Sequence, residues 1–184
     1  MNPLVRLDRE QAQLVVVDVQ DRLLPLIHEH EQVVAQCARM IRAARVLEIP
    51  MLVSEQYPAG LGHTTSALLD VADGASRAEK SAFSVCRDEA TFAPIKRAAR
   101  PQVLLVGIEA HVCVLQSALD LLASGRQPFV LADAVSSRRP LDRETAFDRM
   151  RAAGVVVTTV ESAIFELLEF SGTPEFKQIL PIVK

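Results

Sequence analysis

Cys113 stands just beyond the aliphatic run 103–106 and the turn Gly107-Ile108-Glu109-Ala110, where a stretch with Leu115, Ala118, Leu119 and Leu122 at helical spacing begins. A thiol at a helix start meets the partial positive charge and free N–H groups of the first turn, which stabilise a thiolate and can bind an oxyanion. That position suits a nucleophile with a lowered pKa, the fastest of the chain's three thiols to alkylate. It equally suits a small buried hydrophobe. Asp18 ends the apolar run 14–17. A carboxylate there either caps the following turn or serves as a base tuned by burial and a neighbouring cation. Lys80, in Glu79-Lys80-Ser81-Ala82-Phe83-Ser84, sits among small and apolar residues. Taken alone it reads as surface charge. Together, a carboxylate, a lysine and a helix-start cysteine at three strand ends can act as base, electrostatic partner and nucleophile.

Other chemistry-bearing residues divide around this set. His111 is the rival base for Cys113, but side chains two apart on a helix face different directions. A direct pair would require Cys113 to precede the regular helix. His28 and His30 follow Pro25 in a polar segment and read as solvent-facing. Cys37 falls on an apolar helix stripe and reads as core, while Cys86 is open. In the segment 54–63 at the end of the second apolar strand, Glu55 and His63 are the only metal-type side chains, too few for a catalytic zinc, so neither metal nor cofactor is expected. Asp18 followed by Asp21 suggests an aspartate-nucleophile, magnesium-dependent phosphatase, yet the second aspartate belongs two residues on, where Gln20 stands. A non-catalytic interaction protein is the third reading, since fold does not fix function.

The elements that must position these residues follow from patterning. Short Val, Leu and Ile runs at 14–17, 50–54, 102–106, 128–132 and 155–158 alternate with amphipathic stretches at about 31–48, 88–99, 111–124, 142–153 and 162–170. A weaker strand at 76–79 makes a sixth. That alternation predicts a three-layer α/β/α, Rossmann-like fold with a largely parallel six-stranded sheet. Gly125 and Gly154 fall just past helix ends. In such sheets ligands bind beyond the strands' carboxyl ends, near the reversal of strand order. The strand-end candidates are Asp18, Glu55, the Lys80 region, the turn 109–113 and Asp133.

Size and charge narrow the function. The 184 residues, 49% apolar, predict one domain, 1–184. A net charge of -3 provides no field for phosphate backbones or anionic lipid, so neither nucleic acid nor membrane is an expected partner. No apolar run approaches a bilayer span, and residues 1–10 lack a signal peptide's basic and apolar regions, which makes a cytoplasmic address the expectation.

The motifs resemble those of the isochorismatase-like cysteine hydrolases, in that family's order and over about residues 14–159. Val16-Val17-Asp18-Val19-Gln20 resembles the first-strand motif, Lys80-Ser81-Ala82-Phe83-Ser84 the lysine motif, and Gly107-Ile108-Glu109-Ala110-His111-Val112-Cys113 the nucleophile turn. Leu131-Ala132-Asp133-Ala134 is similar to the next strand end. The resemblance implies the isochorismatase-like hydrolase fold, a catalytic triad of Asp18, Lys80 and Cys113, and a cis peptide at Ile108-Glu109. It further implies an oxyanion hole from the N–H groups of Glu109 and Cys113, and homo-oligomers. Gln20, Tyr57, Phe83 and His111 are then expected to line a small-molecule pocket. The segment 54–63 most resembles the isochorismatase domain-containing subgroup. Nicotinamidases carry an Asp-x-His metal motif where this chain has Glu55-Gln56-Tyr57, and true isochorismatases work without the cysteine. The expected reaction is hydrolysis of a small amide or related C–N or C–O substrate through a thioester.

Overall fold

The computed structural model describes residues 5–184. Six strands, β1 (Ala12–Val17), β2 (Met51–Gln56), β3 (Ser76–Lys80), β4 (Gln102–Ile108), β5 (Gln127–Ser136) and β6 (Val156–Thr158), form one sheet in the order β3-β2-β1-β4-β5-β6. Every neighbouring pair is parallel. The helices are α1 (His30–Val46), α2 (Pro58–Leu61), α3 (Ser66–Leu69), α4 (Glu89–Ala98), α5 (Leu115–Ala123), α6 (Pro140–Ala153), α7 (Val160–Leu168) and α8 (Pro174–Val183).

Every residue of β1 is buried, which explains a run with no polar alternation. Leu14 and Val16 pack with α1, α7 and α8 on one face, and Val15 and Val17 with α4, α5 and α6 on the other. The expected α/β/α layers with a six-stranded parallel sheet are therefore present. Strand order reverses between β1 and β4, so the crevice at their carboxyl ends lies beside Asp18 and the turn after β4.

The differences from the sequence reading are local. The weak strand is real and forms the sheet edge, where only Lys80 of its five residues is buried. β5 continues to Ser136, so Asp133 lies within the strand. Its Oδ1 accepts the Val160 N–H at 2.9 Å and caps α7, a structural task far from the strand's end. Helix α8 was not expected, because Pro174 and Pro181 punctuate it. Pro174 occupies the first turn, where its missing N–H is harmless, and Thr173 caps the helix by accepting from Phe176 N–H.

Gly107 is the tightest point of the scaffold. It pairs in register with Val17, has φ +114, and a Cβ built on it would overlap the Val17 carbonyl. Gly107→Ala should cost about 3 kcal/mol, through positive-φ strain and the clash together. Chemical denaturation measures it. A loss below about 1 kcal/mol would mean that the β1–β4 junction yields more easily than this geometry implies.

Candidate active site

Where β1 ends, Asp18 takes a left-handed conformation, φ 52, and its buried carboxylate turns toward β2 and β3. Oδ1 accepts the Ser54 hydroxyl at 2.7 Å and Oδ2 accepts Lys80 Nζ at 2.7 Å. Ser54 reaches it because β2 lies in register with β1, Val17 opposite Ser54. Lys80 arrives from the far side of β2, as the last residue of β3. Both members of the ion pair are essentially inaccessible, with side chains 0% and 1% exposed. Nζ also donates to Gln56 Oε1 at 2.7 Å and to the carbonyls of Phe83 and Ala82 at 3.0 and 3.2 Å. A buried ammonium thus finds one anion and three neutral acceptors, the arrangement that lets a desolvated charge persist.

Cys113 comes from the opposite side. The Ile108-Glu109 peptide is cis, and residues Ala110–Val114 form a π-helical turn in which Val114 N–H reaches Glu109 O at 3.2 Å. Cys113 therefore precedes the regular helix α5, the one arrangement that would have allowed a bond to His111. His111 instead sets Nδ1 2.9 Å from Ser137 Oγ. Asp18 and Cys113 share a cavity of about 230 Å³ with Gln56, Glu109 and Arg138. Its apolar wall is Leu23, Leu61, Phe83 and Val112.

The surroundings of the thiol run against the expectation of a lowered pKa. Burial first, and then the negative charge of Asp18, push Cys113 up to about 12, with Lys80 opposing. Both raising causes are tertiary, the burial of the thiol and the carboxylate beside it. Cys86 is also pushed up, to about 11, by burial and then Asp120, and burial drives the Cys37 thiol higher still. An unfolded thiol ionises near 8.5, whereas Cys113 stays neutral until near 12, so rising pH in that window favours the unfolded chain. The stability present below pH 8 should fall above it. Cys113→Ala should flatten the slope of unfolding free energy between pH 9 and 11 by about 1.4 kcal/mol per pH unit. An unchanged slope would mean that the folded thiol already ionises like a free one.

The remaining expected pocket residues scatter. Phe83 lines the cavity and is half exposed. Gln20 does not line it. Its Nε2 donates to Gln56 O and Gly62 O at 3.0 and 2.6 Å, and its Oε1 accepts Gln56 N–H at 2.7 Å, so it fastens the end of β2 to the next loop. Tyr57 is exposed over an adjoining shallow depression with Glu79 and Ser81, and His111 is held by Ser137, so neither borders the main cavity. Glu55 accepts Thr64 N–H and Oγ1 at 2.7 and 2.8 Å and lies 3.0 Å from His63 Nδ1. Burial alone would raise its carboxyl, but the bonds from Thr64 and His63 outweigh it and hold the carboxyl below the ordinary range. Among the described residues, no three or more His, Cys, Asp or Glu side chains gather as a metal site.

Sequence reasoning missed Ser54, Gln56 and Arg138. The hydroxyl at the end of the second strand was a usable signal for Ser54. Arg138 had none while the fifth strand was read as ending at 132.

The isochorismatase domain family profile matches residues 12–162. Isochorismatase domain-containing protein 1 of Salmo salar is 40% identical over 167 residues, which is 91% of this chain and 59% of that protein's length. Isochorismatase family protein 1B of Dictyostelium discoideum is 39% identical over 180 residues, covering 95% of this chain and 87% of the relative. Among solved structures, one described as MAR1 ribonuclease from Caenorhabditis elegans superposes with a TM-score of 0.92 at 40% identity, over 97% of this chain and 92% of that one.

Proposed function

This chain belongs to the isochorismatase family, and we propose that it is a cysteine hydrolase of a small amide or related C–N or C–O substrate, acting through a thioester on Cys113. The observation that carries the reading is a carboxylate fixed by a buried ammonium 2.7 Å away and sharing one cavity with a thiol. A neutral thiol beside a fixed base loses its proton as it attacks, which avoids a standing thiolate in a buried site. Sγ bonds to the substrate carbonyl carbon while Asp18 takes the thiol proton and Lys80 steadies the carboxylate. The N–H groups of Glu109 and Cys113 receive the oxyanion. The C–N bond breaks, Asp18 passes its proton to the departing nitrogen, and a thioester remains. Water then attacks the thioester, giving its proton to Asp18, and the acid leaves as the thiol regains that proton.

Incubation with a panel of small amides and esters tests this. Intact-mass analysis should find an acyl adduct that peptide mapping places on Cys113 and that Cys113→Ala lacks. Absence of both adduct and turnover across the panel would favour a non-catalytic interaction protein. Ribonuclease activity, the description attached to the nematode structure, is the second reading, and 40% identity to that structure favours it enough to add an RNA arm to the panel. RNA cleavage lost in Cys113→Ala would replace the amide reading.

Metal independence is part of the proposal, because positioning of the base is assigned to Lys80 and Ser54. Turnover should survive prolonged dialysis against a strong chelator, and elemental analysis should find less than stoichiometric metal. A loss restored by zinc, iron or manganese would assign Glu55 and His63 to a metal, and one restored by magnesium would revive the phosphatase. Association into homo-oligomers also belongs to the proposal, consistent with exposed Leu26, Leu141 and Phe170, and light scattering measures it.

A further inference from the structure

The cavity beside Cys113 contains polar atoms of two kinds. Those of Asp18 and Gln56 are engaged within the protein: Asp18 with Ser54 and Lys80, and Gln56 with Lys80 through Oε1 and with the Ser81 carbonyl through Nε2, at 2.9 Å. Glu109 differs. Its side chain is 8% exposed, and Oε2 accepts both the backbone N–H and the Nε of Arg138, each at 3.0 Å. No described residue donates to Oε1, although Glu109 lines the cavity and no buried polar side-chain atom of the described residues lacks a partner. Oε1 therefore keeps some accessible surface, and the cavity is the space that Glu109 lines.

A carboxylate at this place needs an explanation, because negative charge near a developing oxyanion opposes the reaction. Arg138 removes most of that objection by balancing the charge through Oε2. What remains is an acceptor with no protein donor, and an occupant that covers it without supplying a hydrogen bond loses affinity. An occupant that brings a donor meets that requirement. With a volume of about 230 Å³, room for roughly eight waters, the cavity takes a compact molecule. Its wall of Leu23, Leu61, Phe83 and Val112 suits an apolar acyl body.

We propose that Glu109 is the specificity-determining residue of this site, its free carboxylate oxygen accepting an N–H of the substrate's amide group, so that the natural substrate is a small primary carboxamide with an apolar acyl chain. Arg138 is a positioning residue that holds Glu109 and offsets its charge. This rests on the cysteine-hydrolase reading above and deepens it. A site built to bond an N–H discriminates against an isostere without one far more strongly than an apolar pocket discriminates by shape.

The test uses matched primary amides and methyl esters of straight and branched acyl groups from two to six carbons, with kcat/KM and Cys113 acylation read for each. Glu109→Gln keeps the shape but presents an NH₂ donor where the acceptor was. It should lower the amide-to-ester ratio of kcat/KM about a hundredfold, whatever loss the two substrates share. Arg138→Ala removes the Nε bond but keeps the backbone N–H bond to Oε2, and should lower the same ratio about tenfold, chiefly by raising KM for amides. It also serves if Glu109→Gln fails to fold. A ratio unchanged in the variant that folds, with Cys113 still acylated, overturns the specificity assignment alone. Wild-type protein that neither acylates Cys113 nor turns over any member of the series overturns the cysteine-hydrolase reading, and this inference with it.

Discussion

Cys113→Ala and Asp18→Asn should each lower kcat/KM by about 10⁴-fold on any substrate that passes through the thioester, with the double variant little worse than either single one. The reason for non-additivity is that the two groups perform one event. Without the thiol there is no proton for Asp18 to take, and without the carboxylate the thiol, still raised by burial, has no local acceptor. The Asp18→Asn change adds a second fault, facing an NH₂ or a neutral oxygen toward Lys80 Nζ where a charged oxygen now accepts at 2.7 Å. His111→Ala should be mild by comparison, because its ring is turned to Ser137. Steady-state kinetics of the four variants decides the matter. Losses that multiply in the double variant, or a His111→Ala as damaging as Cys113→Ala, would remove Asp18 from the role of base.

Lys80→Met should destabilise the fold by about 3–5 kcal/mol as well as abolish turnover, since it strips the cation from a carboxylate that is 1% exposed. Methionine fills much of the same volume, so the loss reports the stranded charge more than a cavity. Two further results follow. Adding Asp18→Asn to Lys80→Met should recover most of the stability while activity stays absent. Acidification should also relieve the single variant, because a buried, unpaired carboxyl has a raised pKa, and its penalty disappears as it takes up a proton. Guanidinium denaturation at several pH values measures both. A single variant within about 1 kcal/mol of wild type, or a double variant less stable than the single, would show that the pair does not stabilise this site as drawn.

The sequence was most readable where one local signal sufficed. The uninterrupted 14–17 run could only be a strand buried on both faces, and it is; the strands alternating with helical stretches could only stack in three layers. The motif resemblance brought Asp18, Lys80 and Cys113 together on paper; in the structure Asp18 is bonded to Lys80 at 2.7 Å and lines one cavity with Cys113. Reading failed where tertiary surroundings decide. Gln20 sits beside Asp18 in sequence, yet its amide is consumed by the backbone of Gln56 and Gly62. Arg138 was invisible because the residues 133–136 carry a charge and a serine, which disguise the last third of β5. The direction of the Cys113 pKa was misjudged because a helix start is visible in a sequence, whereas the burial and the carboxylate that raise it are not.

Lys80 belongs to the outermost strand, held in the ladder by β2 alone, while Asp18 belongs to the middle of the sheet. The site's charge pair consequently spans regions of unequal local stability, since edge elements open at lower free energy than central ones. The population of intact pairs is then set by how often the edge frays. Arg77 and Glu79, exposed on β3 and outside the lining of the thiol's cavity, become adjusting screws: substitutions there act on the working fraction of molecules without altering the chemistry in any one of them. Selection for rate or for heat tolerance has a handle on the outer face of this strand that a map of the cavity would not reveal.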